Sequence, residues 1–269
     1  MNPLVASDLE QFIERGWCLL PGAFSEAQAR AAQEVVWQRM REKRGIRRDD
    51  PTTWPPAYDV EQSLDAAPQI IDCFTPVIGD AIERLVGAGR WCGVRRWGFW
   101  PVSFHYAKDE PQEFPEWGWH VDGNWFRHTL DCPKQGLLVI GLFTDVPPGS
   151  GGTIVAEGSH RRAARVLAEH PEGLTHRELF DLVLAQPIGN FRELTGKAGD
   201  VVLAHPFLFH TRGCKRHGPP RILSNVEAPL REGMRFDRAD HDLSVVERSI
   251  LQALHEVEAA PVGPRRCRF

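Results

Sequence analysis

Residues 136–156 read GLLVIGLFTDVPPGSGGTIVA, two apolar runs separated by a turn rich in Pro and Gly. A short apolar run bounded by turn residues is typical of a buried β-strand. Similar runs occur at 98–106, 200–209 and 221–228, again with Gly and Pro between them. Many short strands with this punctuation predict a β-sandwich or jelly roll.

Helical patterns lie on both sides of these strands. Residues 1–90 are predicted to be mainly helical, with a polar loop at 45–60, and residues 231–269 to form a C-terminal helix and a tail. The strands then occupy a jelly-roll core at about 91–230. Because no internal repeat or low-complexity linker interrupts the chain, we predict one domain, 1–269, of mainly β structure with flanking helices.

The composition excludes several classes of protein. The chain has 269 residues and a formal net charge of −4, which gives no basic face for nucleic acid. It contains no run of about 18 apolar residues that could span a membrane. The first fourteen residues are acidic where a signal peptide would be basic, and the six cysteines are scattered, which favours a cytoplasmic location. We therefore expect a monomer or homodimer whose partner is a small-molecule substrate.

The segment His120-Val121-Asp122 is the first candidate for metal chemistry. On an extended backbone, side chains two positions apart point to the same side, so His120 and Asp122 can bind one ion while Val121 faces away. A second imidazole would complete the facial triad of non-haem Fe(II) oxygenases, which leaves coordination positions open. Taken alone, the pair is weak evidence, and a solvated turn is the better interpretation of it.

Two histidines lie within and directly after the apolar run at 200–209, namely His205 and His210. On a continuous strand they would point to opposite faces, so at most one is placed to be the third ligand, and both stay candidates on this reasoning. Arg221 opens the next strand. A buried guanidinium is costly unless an anion receives it, and a dicarboxylate co-substrate is such an anion.

Spaced motifs run through the chain from about residue 8 to about residue 229. They read Phe12-x-x-x-Gly16-Trp17-Cys18-Leu19-Leu20-Pro21-Gly22, His120-x-Asp122, Gly151-Gly152-Thr153-Ile154-Val155-x-x-Gly158-Ser159-His160, and Gly199-Asp200-Val201-Val202 leading through His205-Pro206 to His210 and Arg221. Together these motifs resemble those of the phytanoyl-CoA dioxygenase family.

The resemblance implies a double-stranded β-helix, or jelly roll, that uses Fe(II), 2-oxoglutarate and O2. By position, it implies His120, Asp122 and His210 as iron ligands and Arg221 as the anchor of the distal carboxylate of 2-oxoglutarate. Thr153, on the strand after the Gly-rich turn, is expected to bind the co-substrate as well. The implied reaction is hydroxylation of an unactivated C–H bond in a small molecule, with release of succinate and CO2.

The chain departs from the family pattern at Arg212, since the family often has a small hydroxyl residue two positions past the distal histidine. We expect Arg212 to contact substrate instead. Asn124, Trp125 and Phe126 closely follow the metal motif and are expected to form a substrate wall. His105, in the predicted strand at 98–106, is a further candidate for a substrate contact.

Two other functions are compatible with a jelly roll. One is a cupin-type metal enzyme that does not use 2-oxoglutarate, against which Arg221 argues. The other is a non-catalytic protein that binds a small molecule, which the loss of a metal ligand would support. All three candidate ligands are present in the sequence.

Overall fold

The computed structural model describes residues 3–61, 64, 66–104 and 118–256. The strands found there are Trp17–Leu20 (β1), Tyr58–Glu61 (β2), Trp100–Ser103 (β3), Leu138–Leu142 (β4), Thr153–Ala156 (β5), Phe191–Glu193 (β6), Val201–Ala204 (β7), His210–Arg212 (β8) and Arg221–Glu227 (β9). The α-helices are Ala6–Arg15 (α1), Glu26–Arg44 (α2), Pro68–Ile71 (α3), Pro76–Val86 (α4), Ser159–Ala168 (α5), His176–Leu184 (α6) and Val245–His255 (α7).

The strands form two sheets. One has six strands in the order β1-β7-β4-β9-β3-β2, and the other has three in the order β6-β5-β8. All of these neighbouring strands pair antiparallel. With helices before, between and after the strands, this architecture confirms the predicted mainly β fold with flanking helices and a jelly-roll core.

Strand β4 shows why the decisive sequence run is apolar throughout. Leu138 and Ile140 lie in a core that also contains residues of the three-stranded sheet, whereas Val139 belongs to the larger core that includes the helices. Both faces of the strand are therefore buried, as a continuous apolar run indicates. At Gly141 an added Cβ would lie 2.6 Å from the ring of Trp97, so the missing side chain lets that indole pack directly on the sheet.

Two stretches differ from the sequence prediction. The polar segment 45–60, predicted as a loop, ends in strand β2, which pairs with β3. The run 200–209, predicted as one strand, ends at Ala204 and turns, with the N–H of Leu208 donating to the carbonyl of His205. Pro206, which has no N–H to donate to a sheet, lies in this turn. His205 and His210 therefore do not share a strand.

The Gly-rich turn before β5 is held by one carboxylate. Glu193 of β6 accepts the N–H of Gly149 through Oε2 at 2.6 Å, and through Oε1 it accepts those of Gly151 at 3.1 Å and Gly152 at 2.8 Å. Hydrogen bonds to an ionised acceptor are about twice as strong as neutral ones. Glu193 therefore fixes the turn that delivers Thr153 to the interior.

We expect Glu193→Gln to lower the free energy of unfolding by about 1.5–3 kcal/mol. The reason is that three backbone N–H groups of the turn lose their charged acceptor. Denaturant unfolding followed by fluorescence measures this change. Glu169→Gln, at an exposed position just after α5, is the matched control and should leave stability unchanged. Equal stability of the two variants would contradict the role of Glu193.

Candidate metal centre and adjoining cavities

Two of the candidate ligands face each other across a pair of backbone hydrogen bonds. The N–H of His120 donates to the carbonyl of His210 and the N–H of His210 to that of His120, both at 2.9 Å. Opposite residues in an antiparallel pair project to the same side, and the two imidazole centroids lie 4.4 Å apart. Strand β8 thus brings the distal histidine to the HxD segment.

Asp122 joins this pair because it lies two positions after His120. Its Oδ1 lies 3.4 Å from Nε2 of His120 and 3.6 Å from Nε2 of His210. One ligand atom from each of the three residues lies within 4.8 Å of the others. The structure therefore brings together the set that the sequence singled out.

Backbone carbonyls set the orientation of both rings. Nδ1 of His120 lies 2.7 Å from the carbonyl of Gly118, and Nδ1 of His210 lies 3.0 Å from that of Leu208. A carbonyl only accepts hydrogen bonds, so each Nδ1 carries the proton and each Nε2 keeps a lone pair directed at the cluster. Metal-binding histidines are commonly oriented in this way.

The donor set fits a divalent cation. Nε2 of His210 is buried and has no hydrogen-bond partner among the described residues. Burial raises the pKa of Asp122, but the adjacent His210 and His120 outweigh it and hold that pKa well below its usual value. Burial lowers the pKa of His120, yet the nearby carboxylate of Asp122 and the carbonyl of Gly118 raise it overall. The cluster is an anionic carboxylate between two imidazoles, which a cation would stabilise.

A cavity of about 210 Å³ opens on one side of the cluster and contains Thr153, Arg212 and Arg221 in its wall. Arg221 is 2% exposed, and its Nη2 donates to Oγ of Ser103 at 2.6 Å. Its Nε has no partner among the described residues. Burial, and then the charge of Arg212, lower the pKa of Arg221, although a guanidinium remains protonated at neutral pH. The cavity is therefore built for an anion.

A larger cavity of about 590 Å³ also borders the cluster, at His120 and Asp122. Its wall includes Asn124 and Trp125, two of the candidate substrate residues, and Trp125 is 63% exposed. Phe99 and Asn225 line both cavities and mark their junction with the metal cluster. The Asn225 Oδ1 is buried and has no hydrogen-bond partner among the described residues.

Other candidates lie elsewhere. Phe126 packs on Gly123, where an added Cβ would lie 2.2 Å from its ring, and lines neither cavity. His205 is buried beside His160, with ring centroids 4.8 Å apart, and is not part of the metal cluster. His105 lies outside the described residues.

Several residues of these cavities were not predicted from the sequence. They are Tyr58, Ser103 and Phe99 near the smaller cavity, and Arg96, His176, Asn225 and Glu227 around the larger one. Alternation along β9 could have indicated two of them, since Asn225 and Glu227 share the face of Arg221. No local pattern identifies His176, which comes from the start of α6.

Among the helices that the structure describes, none combines the length and apolar character needed to cross a membrane.

Solved structures share this fold at low sequence identity. SnoK, a carbocyclase from nogalamycin biosynthesis, is 18% identical with a TM-score of 0.52, covering 86% of each chain. HygX from Streptomyces hygroscopicus, with nickel and 2-oxoglutarate bound, is 14% identical with a TM-score of 0.53, covering 86% of this chain and 90% of that one. The epimerase SnoN, in complex with Fe³⁺, α-ketoglutarate and nogalamycin RO, is 18% identical with a TM-score of 0.53, covering 89% and 97%.

The family is established from the sequence. A search among curated proteins finds no match. The sequence model described as phytanoyl-CoA dioxygenase (PhyH) matches residues 12–214, well over half of the chain. This range contains the HxD segment, the Gly-rich turn and the distal histidine. The chain therefore belongs to the phytanoyl-CoA dioxygenase family.

Proposed function

We propose that the protein is an Fe(II)- and 2-oxoglutarate-dependent oxygenase that hydroxylates an unactivated C–H bond of a small molecule and releases succinate and CO2. The observation that carries this proposal is the convergence of His120, Asp122 and His210 beside a cavity that contains the buried Arg221. Membership of the family supports it, as do the nickel or iron and 2-oxoglutarate bound in two of the similar structures.

The three clustered side chains would hold Fe(II) through Nε2 of His120, Nε2 of His210 and the carboxylate of Asp122. Two neutral imidazoles and one carboxylate leave three positions of an octahedron open. When bound there, iron and 2-oxoglutarate supply the oxidising power to remove hydrogen from an unactivated C–H bond, using O2. The carbonyls of Gly118 and Leu208 keep both rings in the tautomer that this binding requires.

Arg221 would receive the distal carboxylate of 2-oxoglutarate. A planar guanidinium binds a carboxylate through two parallel hydrogen bonds, and the buried position strengthens them. Ser103 orients the group by accepting from Nη2, while Nε remains for the ligand. Thr153, from the opposite sheet, borders the same cavity and can donate its hydroxyl to the co-substrate.

The larger cavity would bind the substrate. Its volume of about 590 Å³ falls within the range of about 300–1,000 Å³ common for small-molecule sites. The rings of Phe99 and Trp125, exposed by 43% and 63%, offer apolar surface, and Asn225 offers a polar contact next to the metal cluster. We therefore expect a small organic molecule with both apolar and hydrogen-bonding parts.

The test is incubation of the purified protein with Fe(II), 2-oxoglutarate, ascorbate and candidate substrates under air. We expect succinate to form in step with a product that has gained one oxygen atom. A product of unchanged mass would indicate epimerisation, and loss of two hydrogens would indicate ring closure or desaturation, so either would contradict hydroxylation.

Binding to the nickel-loaded protein, measured by calorimetry, separates the alternatives. We expect 2-oxoglutarate to bind. Binding of nickel without 2-oxoglutarate would favour a cupin-type enzyme that does not use it. Failure to bind nickel would favour a non-catalytic binding protein.

A further inference from the structure

Arg212 projects into the smaller cavity together with the metal ligands. It lies two positions after His210 on β8, so both side chains point to the same side of the strand. Across the strand pair it is opposite Thr153, which lines the same cavity. Position along the strand therefore directs Arg212 toward the space beside the metal cluster.

The facing sheet contributes Arg221 to the same cavity. Tyr58 pairs with Ser103, and Ser103 pairs with Arg221, so these three residues form a row across β2, β3 and β9. The guanidinium carbon of Arg212 lies 3.6 Å from the centroid of the Tyr58 ring. This cation–π contact holds Arg212 against one end of the row, across the gap between the two sheets.

Two guanidinium groups in one cavity repel each other unless an anion lies between them. Burial, and then the charge of Arg212, lower the pKa of Arg221, whereas Glu193 raises it. The Glu193 carboxylate, however, is already held by the backbone N–H groups of the Gly-rich turn. A ligand that brings its own negative charge would therefore bind with the help of both arginines.

We propose that Arg212 is a second guanidinium for the distal carboxylate of 2-oxoglutarate, which it binds jointly with Arg221 while Tyr58 holds it in place. This assignment rests on the proposed function. It differs from the expectation that Arg212 contacts the substrate. Arg212 supplies a full positive charge at a position where a hydroxyl residue would supply a single hydrogen bond, so the site selects strongly for a 2-oxo acid that carries a far carboxylate.

The test compares two 2-oxo acids on the nickel-loaded protein, with binding measured by calorimetry. 2-Oxoglutarate and 2-oxopentanoate have the same chain length, but only the first has a distal carboxylate. We expect Arg212→Gln to weaken binding of 2-oxoglutarate by about tenfold to a hundredfold, the loss of a charged hydrogen bond. Binding of 2-oxopentanoate should be unchanged, which also shows that the variant is folded and holds metal.

Variants at Tyr58 provide an independent measurement. Tyr58→Phe keeps the ring and should retain the preference for 2-oxoglutarate over 2-oxopentanoate. Tyr58→Leu removes the stacking surface and should reduce that preference by about twofold to fivefold, the size of a cation–π contact at a partly exposed site.

Several results would overturn the assignment. Equal losses for both 2-oxo acids in Arg212→Gln would make the residue merely structural. If Arg212→Gln leaves 2-oxoglutarate binding unchanged but raises the KM for the organic substrate, Arg212 contacts the substrate and not the co-substrate. A wild-type protein that binds nickel but neither 2-oxo acid would instead refute the proposed function, and this assignment with it.

Discussion

His210→Ala is expected to abolish both metal retention and turnover. The substitution removes one of the three side chains whose ligand atoms lie within 4.8 Å of one another. Loss of a residue that merely orients a metal ligand typically costs 10- to 100-fold, so loss of a ligand itself should reduce metal affinity and the rate of succinate formation by more than about 100-fold. Metal content after dialysis, nickel titration and the succinate assay measure these changes.

His205→Gln is the matched control. His205 was the alternative third ligand from the sequence, but its Nδ1 accepts the N–H of Phe207 at 3.2 Å and its ring packs beside His160. This variant should therefore retain metal. The reverse result, in which His205→Gln loses metal and His210→Ala keeps it while both unfold cooperatively, would show that the cluster is not the metal site.

The sequence predicted those parts of the fold that depend on local pattern. Strand β5, Thr153–Ala156, coincides with the second apolar stretch of 136–156 because a Gly-rich turn precedes it and a helix capped by Gly158 follows. The HxD pair was predictable for a similar reason, since alternation along an extended segment places His120 and Asp122 on one side. Both predictions need only the neighbours along the chain.

Features that depend on distant parts of the chain were not predictable from local pattern. The choice between His205 and His210 required knowing that the chain turns after Ala204 and that β8 pairs with the HxD segment. Strand β8 has only three residues, too few to show a period. The contact between Arg212 and Tyr58 joins residues far apart in the sequence and on different sheets, so only the structure reveals it.

The one-domain organisation and the monomeric or homodimeric state stay predictions.

The buried histidine pair His160 and His205 makes the stability of the fold sensitive to acid. Nε2 of His160 donates to the carbonyl of Ile13 at 3.1 Å, and Nδ1 of His205 accepts from the N–H of Phe207, which keeps the His205 ring neutral. Burial lowers the pKa of His160 to about 3, and burial followed by the proximity of His160 lowers that of His205 well below its ordinary value. Protonating either ring in the folded protein would create a buried charge.

The direction of the pH effect follows from these lowered values. Below about pH 6.5, the ordinary pKa of histidine, the unfolded chain binds protons at both positions and the folded protein does not. Stability is therefore fully present above about pH 6.5 and decreases as the pH falls. For His160 alone, the slope of the free energy of unfolding against pH approaches about 1.4 kcal/mol per pH unit. By pH 5 this amounts to a loss of roughly 2 kcal/mol of stability.

We expect His160→Gln to reduce the pH dependence of stability by about 1.4 kcal/mol per pH unit between pH 6 and pH 4, because the amide cannot be protonated in either state. Urea unfolding at a series of pH values gives this slope, which is diagnostic even where the variant is less stable at neutral pH. His241→Gln, at a side chain that is 82% exposed, should leave the slope unchanged. If wild type and His160→Gln lose stability in parallel as the pH falls, His160 takes up protons as readily in the folded protein as in the unfolded chain, and the neutral buried pair would be refuted.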